Sequence, residues 1–514
     1  MVVVPSNSLT TAPVYAATTP NSSPAGQDNY PPSFLALGED IAVSGSTVTG
    51  YAPGVMMFLA PDTSGNIHVF GTSLNPASGT PTSTQVSSFS VPLNAVGSNT
   101  ASNICDYGQG QTSIYSPTTL FVVIHIAGST GCGGSGVGDS WVEVHYTDSA
   151  TTPPVTLGIT TTTFLSLYAP NGSLGGIALV DPVSTNLYFY PTIAFTSPAT
   201  LLASAGSMSD VLDQTLTKQD AFSTSAYVQL QAQGQPPSLY QISYLGTATK
   251  CFQGANALST AVSDTSNFYF TDSNGIGSTV YQEALGACGT PTTLLVSSSD
   301  YGLVGSNGSV VVLSSETGSF TSETSTLSTI PVGATSSSVT PLATFTGSID
   351  AFMASKTLGT PSTDEVFVSV TDYTNVSPLT VAYSTEVLSP GSTTPLQGPT
   401  ANATFEGLIN EFNGNVLEIT GITDTGGTHG GGTLNAFTIN GLTATPFKSP
   451  GGTNFVIPAG YSAIFLGLST TIGEGYVTNA ATSSGAPTVY EYAFDQSQAL
   501  IVPITVPNTS LGLL

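Results

Sequence analysis

The sequence predicts an all-β protein folded as a single β-propeller, and three observations support this fold class. A strand, a polar Gly/Asn/Ser turn and a second strand rich in aromatic residues recur at intervals of roughly 40–65 residues, which is typical of four-stranded blades. Helical periodicity is nearly absent. The repeat also runs through both Pro/Ser/Thr-rich segments, at residues 151–154 and 389–399. Tandem β-sandwiches, which such linkers would separate, are the alternative architecture.

Nine candidate hairpins carry this repeat. Each has apolar residues alternating on both sides of a turn, as expected for the central strands of a blade. They begin at Val55, Leu120, Ile177, Ala226, Asn267, Ser309, Val366, Val416 and Gly475. Nine hairpins fit eight blades with one long insertion, or seven blades with irregular loops. We therefore predict seven to eight blades of four antiparallel strands.

The propeller is predicted to span residues 33–506, between an extended Pro/Ser/Thr-rich segment at residues 1–32 and a tail at residues 507–514. The strand pattern that starts at Phe34 and the last one, from Ala499, are expected to share a blade. This pairing would close the ring, whereas an open array of sheets exposes an edge. One segment, SMSDVLDQTLTKQDAF from Ser207, has the pattern of a short helix.

Basic residues are nearly missing from the chain. Lys and Arg together number 4 against 30 Asp and Glu, which gives a formal net charge of -26 at pH 7. Near pH 2 the carboxyl groups are protonated, so only about nine positive charges remain, on Lys, His and the N-terminus. This small number limits self-repulsion in acid. The composition therefore predicts an extracellular or periplasmic location in an acidic environment.

Several functional classes are excluded by missing features. No apolar run approaches the roughly 18 residues of a spanning helix, so no membrane span is expected. No basic patch is present to contact phosphates, which argues against nucleic-acid binding. The sequence has no CxxC or HExxH motif and no paired His on one strand, so no metal site is expected. The sequence also lacks the GxSxG motif of α/β-hydrolases, which argues against that class of enzyme.

The four cysteines indicate export. Two local pairs are predicted, Cys105–Cys132 and Cys251–Cys288, each closing a short loop, with four free buried thiols as the alternative. The N-terminus lacks the basic and long apolar regions of a signal peptide. We therefore expect a mature chain with an added initiator Met. A virion protein that needs no signal is the alternative.

Carboxylates are the candidates for acid–base chemistry, because an Asp with an ordinary pKa of about 4 titrates near an acidic operating pH. In a propeller, the loops leading into the innermost strands surround the central channel. Asp300 and Asp350 both precede predicted inner strands, so we predict them as catalytic residues. Lys356 and Lys218 are predicted to bind a small anionic substrate. The alternative for each is a turn-capping Asp or a solvated Lys.

Hairpins such as NFYFTDSNGIGSTVYQEAL and GYVTNAATSSGAPTVYEYAF, with the chain length and acid-adapted composition, resemble the tetrathionate hydrolases of acidophilic sulfur oxidisers. The resemblance covers about Phe34 to Val506 and implies a propeller that hydrolyses a small sulfur oxyanion. The YVTN sequence is also similar to repeats of archaeal surface-layer propellers. With a single Trp, the chain departs from the tryptophan-rich quinoprotein propellers, so no cofactor is expected.

Two main functional hypotheses result. The first is an acid-active hydrolase of an anion such as tetrathionate, in which an Asp activates water or protonates the leaving sulfur. The alternative is a non-catalytic surface-layer, filament or virion protein, in which residues 1–32 dock on the sheet edge of a neighbouring subunit of a homo-oligomer. An acid glycan hydrolase, which needs two carboxylates about 5–10 Å apart, is a third.

Overall fold

The structure is a computed structural model of the 514-residue chain. It describes the backbone of strands along the whole chain. With side chains, it describes mainly residues 236–258, 260–334, 339–354, 364–374 and 380–405, and shorter stretches between residues 187–229 and 416–457. Within this described part every regular element is a strand. No described helix is long and apolar enough to span a membrane.

The strands are numbered here in chain order and grouped into nine sheets. Ahead of them, β1 (Val2–Val3) pairs with β2 (Val14–Tyr15). Sheet 1 contains β3 (Ser33–Leu37) and, after a separate hairpin of β4 (Asp40–Ser44) and β5 (Thr47–Ala52), the strands β6 (Val55–Pro61), β7 (Asn66–Ser73) and β8 (Gln85–Pro92). Sheet 2 contains β9 (Ser113–Ser116), β10 (Thr119–Ile126), β11 (Ser140–Thr147) and β12 (Val155–Thr156). Sheet 3 contains β13 (Thr163–Tyr168), β14 (Leu174–Val180), β15 (Asn186–Pro191) and β16 (Thr200–Ser204).

The middle sheets carry most of the described side chains. Sheet 4 contains β17 (Met208–Gln214), β18 (Ser225–Leu230), β19 (Ser238–Ser243) and β20 (Ala248–Gln253). Sheet 5 contains β21 (Ala257–Ser263), β22 (Asn267–Ser273), β23 (Ser278–Ala284) and β24 (Thr292–Val296). Sheet 6 contains β25 (Gly302–Ser306), β26 (Val310–Thr317), β27 (Thr324–Pro331) and β28 (Thr340–Thr346).

The last three sheets complete the described strands. Sheet 7 contains β29 (Ser348–Ser355), β30 (Asp364–Val376), β31 (Leu379–Leu388) and β32 (Gln397–Ala401). Sheet 8 contains β33 (Ala403–Phe405), β34 (Asn415–Thr420), β35 (Gly432–Thr438), β36 (Thr443–Pro446) and β37 (Val456–Ile457). Sheet 9 contains β38 (Tyr461–Leu468), β39 (Gly473–Asn479), β40 (Val489–Phe494) and β41 (Ala499–Ile504).

The nine predicted hairpins are confirmed. Each supplies the second and third strands of one sheet, and neighbouring strands in every sheet pair antiparallel. In sheet 5, for example, β22 and β23 pair in unbroken register from Asn267↔Ala284 to Ser273↔Ser278. The Asn274 side chain closes the turn, because its Oδ1 accepts the N–H groups of Ile276 and Gly277, both at 2.9 Å.

The sheets are arranged as propeller blades. The first strands of successive sheets contact one another along the series β13, β17, β21, β25 and β29. The first strand of each sheet is therefore innermost and the fourth outermost, as in a β-propeller. This arrangement confirms the predicted fold class in preference to tandem β-sandwiches. The number of blades in the ring, seven to eight, stays a prediction.

The hydrophobic core lies between successive sheets. Between sheets 4 and 5, Tyr227 stacks on Phe268 with ring centroids 3.9 Å apart, and both side chains are fully buried. Between sheets 6 and 7, Val312 and Leu327 belong to the same buried cluster as Val368. The central strand β22 buries both of its faces, because a sheet lies on either side of it. This explains the aromatic run Phe268–Phe270 of this strand.

Two sequence predictions are wrong. The segment predicted as a helix contains β17, which pairs with β18, so long-range pairing overrides the local helical pattern. The segments at Phe34 and Ala499 do not share a blade among the described strands, because β3 pairs with β6 and β41 with β40. The predicted domain boundaries stay predictions. Residues 507–514 lie outside the described part, and of residues 1–32 it includes only β1 and β2.

Candidate functional site

Asp300 lies where it was predicted, in the connection from the last strand of sheet 5 to the innermost strand of sheet 6, β25. Serine side chains hold this connection against the β22–β23 turn. The Tyr301 N–H donates to Ser278 Oγ at 3.0 Å, and the Ser278 hydroxyl donates to the Ser299 carbonyl at 3.3 Å. The backbone on both sides of Asp300 is therefore fixed to the neighbouring hairpin.

The Asp300 carboxyl group is exposed and oriented by a serine. The Ser273 hydroxyl donates to Asp300 Oδ1 at 2.6 Å, and Ser273 itself is 6% exposed. Ser273 Oγ also accepts the Gly275 N–H at 3.0 Å, which fixes the hydroxyl in the β22–β23 turn. A carboxyl that is held by a buried hydroxyl and exposed to solvent is suited to proton transfer.

Asp350 differs slightly from its predicted position. It is the third residue of β29 rather than a residue before the strand, and it pairs in register with Ser369 on β30. Its side chain is exposed. Gly347, directly before β29, has a φ of 104°, and a Cβ there would collide with the Thr371 carbonyl oxygen. Only glycine therefore permits this entry into β29.

The two aspartates occupy corresponding places in neighbouring sheets. Asp300 lies in the connection from the fourth strand of sheet 5 to the first strand of sheet 6, and Asp350 lies near the start of the first strand of sheet 7, so both lie at the same end of the sheets. The inner strands β25 and β29 contact each other, and the backbone of Gly305 packs against the Met353 side chain. The fold thus brings both predicted catalytic residues to adjacent inner strands.

Four other predicted site residues lie outside the part of the chain whose side chains the structure describes: Lys218, Lys356, Cys105 and Cys132. The substrate-binding role of Lys218 and Lys356 therefore stays a prediction, as does the pairing of Cys105 with Cys132. In the described ranges, no group of three or more His, Cys, Asp or Glu side chains is placed to hold a metal ion.

The disulfide Cys251–Cys288 is confirmed, with an S–S distance of 2.02 Å. Cys251 is on β20, the outermost strand of sheet 4, and Cys288 is in the loop between β23 and β24 of sheet 5. The bond therefore links two neighbouring sheets covalently.

Buried aspartates form a second kind of site, which the sequence analysis missed. Asp264 is fully buried after β21. Its Oδ1 accepts the N–H groups of Ser266 and Asn267, both at 2.8 Å, and its Oδ2 accepts the hydroxyls of Tyr269 at 2.7 Å and Ser306 at 2.8 Å. Ser306 belongs to sheet 6, so this carboxylate joins sheets 5 and 6. The sequence SDTSN carries an Asx-turn signal, which predicts the local bonds but not the bond to Ser306.

Asp272 is a second example. It is 2% exposed and accepts the N–H groups of Ala255 and Asn256 at 2.7 and 2.8 Å. These bonds fix the turn that leads from sheet 4 into the innermost strand of sheet 5. Both buried aspartates accept hydrogen bonds from neutral groups, which suits a chain with few cations.

Burial changes the pKa of three glutamates. Burial raises the pKa of Glu283, of Glu386 and of Glu418 above the ordinary glutamate value, because a charged carboxylate is poorly solvated inside the protein. The Glu418 carboxylate accepts the Thr385 hydroxyl at 3.1 Å, which connects sheets 8 and 7 and offsets part of the shift. The folded protein therefore binds protons at these positions more readily than the unfolded chain does.

The comparisons with known proteins show similarity of fold alone. No protein-family model and no curated protein matches the sequence. A eukaryotic initiation factor is 11% identical, with 87% of this chain and 95% of that chain covered and a TM-score of 0.43. The β-propeller domain of the Trilobed protease from Pyrococcus furiosus is 9% identical, with 79% and 100% covered and a TM-score of 0.34.

A prolyl endopeptidase is 8% identical, with 90% of this chain covered and a TM-score of 0.37. The chain spans 55% of the length of that enzyme. At these identities and TM-scores, none of the three likenesses assigns an activity or a ligand to this protein.

Proposed function

We propose that the protein is an extracellular, acid-active hydrolase of a small sulfur oxyanion such as tetrathionate. The placement of Asp300 carries this proposal. Its carboxyl is exposed at the entry to an innermost strand and is oriented by the buried Ser273 hydroxyl at 2.6 Å. Asp350 occupies the corresponding entry of the neighbouring sheet. Two exposed carboxyls at adjacent inner strands supply the acid and the base that hydrolysis needs.

The proposed chemistry divides proton transfer between these two groups. The oxygen of the attacking water forms a bond to one sulfonate sulfur while one carboxylate takes a proton from that water. The S–S bond to this sulfonate sulfur breaks, which gives sulfate, and the leaving sulfur takes the electron pair and accepts a proton from the other, protonated carboxyl. A substrate such as tetrathionate remains a dianion near pH 2, whereas ordinary carboxyls are then mostly neutral. Backbone N–H groups and, as predicted, Lys218 and Lys356 would hold the sulfonate oxygens.

Composition supports the acidic setting of this proposal. A chain with 4 basic and 30 acidic side chains carries little charge once its carboxyls are protonated. The glutamates with raised pKa values favour the same conditions, because they hold their protons in the folded state.

The test is incubation of the full chain with tetrathionate between about pH 2 and 4, where carboxyls titrate, followed by assays for thiosulfate and sulfate. We expect Asp300→Asn and Asp350→Asn each to lower kcat on the order of 100-fold or more. Ser273→Ala should lower kcat by roughly tenfold, because the Asp300 carboxyl loses its fixed orientation. Glu316→Gln, at an exposed carboxyl on β26, is the control and should keep full activity. A wild-type protein that is inert at every pH contradicts the proposal.

A non-catalytic surface-layer, filament or virion role is the second candidate, and exposed apolar side chains favour it. Ile276 is 77% exposed in the β22–β23 turn, Val296 is 74% exposed at the end of β24, and Phe320 is 55% exposed in the β26–β27 turn. These three positions lie at the same end of sheets 5 and 6. Assembly that depends on residues 1–32, measured by light scattering in acid, would support this role. A protein that stays monomeric with or without that segment would exclude it.

A further inference from the structure

The loop at residues 285–291, between β23 and β24, holds sheets 4 and 5 together. Its Cys288 is bonded to Cys251 on β20 of sheet 4. The Tyr227 hydroxyl of β18 donates to the Ala287 carbonyl at 3.4 Å, so a second strand of sheet 4 also contacts the loop. Within sheet 5, the Leu285 N–H donates to the Ser266 carbonyl at 2.8 Å. Movement of this loop would therefore loosen the junction between the two sheets.

Glu283 lies under this loop with one carboxyl oxygen unsatisfied. Its side chain is 6% exposed, and its Oε1 accepts the Gly289 N–H from the loop. Its Oε2 is buried and has no hydrogen-bond partner among the described residues. A buried ionised carboxylate with an unpaired oxygen is costly, whereas the neutral carboxyl carries its proton on that oxygen and avoids most of this cost.

Two tyrosines lie on the strands around Glu283. Tyr227 approaches from β18, and its pKa is raised by burial and, second, by the Glu283 carboxyl. Tyr281 lies two residues before Glu283 on the same strand, and its pKa is raised mainly by burial. Both are neutral phenols below their ordinary pKa of about 10, so neither supplies a positive charge to Glu283.

The charged groups on the neighbouring strands have other partners. On β20, the Lys250 ammonium donates to the Gln253 side chain. On β22, the Asp272 carboxylate accepts two backbone N–H groups. The strand β24 and the loop itself contain no titratable side chain other than the bonded Cys288. Among the described residues, no cation is therefore placed to compensate an ionised Glu283.

We propose that Glu283 is a proton-dependent latch, which keeps the loop at residues 285–291 and its disulfide packed against sheet 4 only while the carboxyl is protonated. In acid, Oε2 carries the proton and Oε1 keeps the bond from Gly289. When the proton leaves, Oε2 needs water, and water reaches it when the loop moves. Because burial raises the pKa of Glu283, this release begins above the ordinary glutamate range as the pH increases. The latch operates whether or not the protein is an enzyme.

The test measures the rate at which Cys251–Cys288 is reduced by tris(2-carboxyethyl)phosphine, at about pH 4 and pH 7, on either side of the proposed transition. Mass spectrometry of the Cys251 and Cys288 peptides reports this disulfide separately from the other cysteines. Wild type is compared with Glu283→Gln, whose neutral side chain keeps an acceptor for Gly289. We expect wild type to be reduced roughly tenfold faster than the variant at pH 7, and equally fast at pH 4.

Glu316→Gln is the matched control, because it removes an exposed carboxyl of sheet 6 and should follow wild type at both pH values. A ratio of wild-type to Glu283→Gln rates that is the same at pH 4 and pH 7 would overturn the proposal. Hydrogen exchange of wild type covers the case in which the variant does not fold. After correction for intrinsic rates, protection of residues 285–291 should fall between pH 4 and pH 7, while β26 stays protected. Equal protection of the loop at both pH values would also overturn the proposal.

Discussion

Two neighbouring junctions of the propeller bury carboxyl groups in opposite ways. Between sheets 5 and 6, the fully buried Asp264 accepts bonds from two backbone N–H groups and from the Tyr269 and Ser306 hydroxyls. Between sheets 4 and 5, the buried Glu283 has one bond, from Gly289, and an unpaired Oε2. The first carboxyl accepts five hydrogen bonds from neutral donors, the fifth from the Asn267 side-chain amide, whereas burial favours the neutral form of the second.

The difference shows how a chain with 4 basic residues buries acidic groups. Ion pairs are scarce in such a chain, so a buried carboxyl needs either several neutral donors or its own proton. The junction with the unpaired carboxyl also carries the Cys251–Cys288 disulfide. Hydrophobic packing joins the sheets at both junctions. To this packing the sheet 4–5 junction adds a covalent bond, and the sheet 5–6 junction adds the hydrogen bonds of Asp264.

The largest expected decrease in the free energy of unfolding comes from removing the Cys251–Cys288 disulfide. The bond joins residues 37 positions apart, and the entropy of closing a loop of that length corresponds to about 4 kcal/mol. We expect the double variant Cys251→Ser/Cys288→Ser to lose roughly this amount in urea unfolding at pH 7. Ser298→Ala, at an exposed position between β24 and β25, is the control. A loss below about 1 kcal/mol would show that the bond contributes little to this junction.

Asp264→Ala is expected to lower the free energy of unfolding by a smaller amount. The substitution leaves two backbone N–H groups and two hydroxyls buried without their acceptor, which costs about 3 kcal/mol. Asp264→Asn keeps one acceptor oxygen and should cost less. Urea unfolding measures both variants, with Glu316→Ala as an exposed control. If Asp264→Ala were as stable as the control, the hydrogen bonds around Asp264 would not hold sheets 5 and 6 together.

The smallest expected effect is an increase in the free energy of unfolding, caused by Glu418→Gln. Burial raises the pKa of Glu418, so the folded protein keeps this proton at pH values where the unfolded chain has lost it. Stability is therefore lost as the pH rises through the folded-state pKa. The neutral Gln avoids this loss and still accepts the Thr385 hydroxyl. We expect a gain on the order of 1 kcal/mol at pH 7 and no change near pH 4. An equal effect at both pH values would contradict this explanation.

The sequence predicts local features of the fold well. Alternating apolar residues and an Asx turn specify the hairpin around Asn274, and its strands pair as expected. The Cys251–Cys288 pair was predictable because the two residues are close in sequence. Asp300 was correctly placed before an inner strand, since the repeat gives the order of strands within each sheet.

Features that depend on distant segments were not predictable. The segment containing β17 has a helical pattern and becomes a strand through pairing with β18. The acceptor role of Asp264 depends on Ser306, which is 42 residues away in the next sheet. The Glu283 Oε2 atom is buried without a hydrogen-bond partner because of the loop that covers it and the packing of sheet 4. Such contacts are set by how sheets pack, which a single-strand pattern does not specify.

The pH dependence of wild-type stability tests the central claim, that the folded protein is adapted to acid. The free energy of unfolding in urea is to be measured from about pH 7 to about pH 4, the range in which buried glutamates gain protons. We expect a higher free energy of unfolding at pH 4, because Glu283 and Glu418, whose pKa values burial raises, bind protons there and the net charge of -26 at pH 7 is reduced. A lower free energy of unfolding at pH 4 than at pH 7 would contradict it.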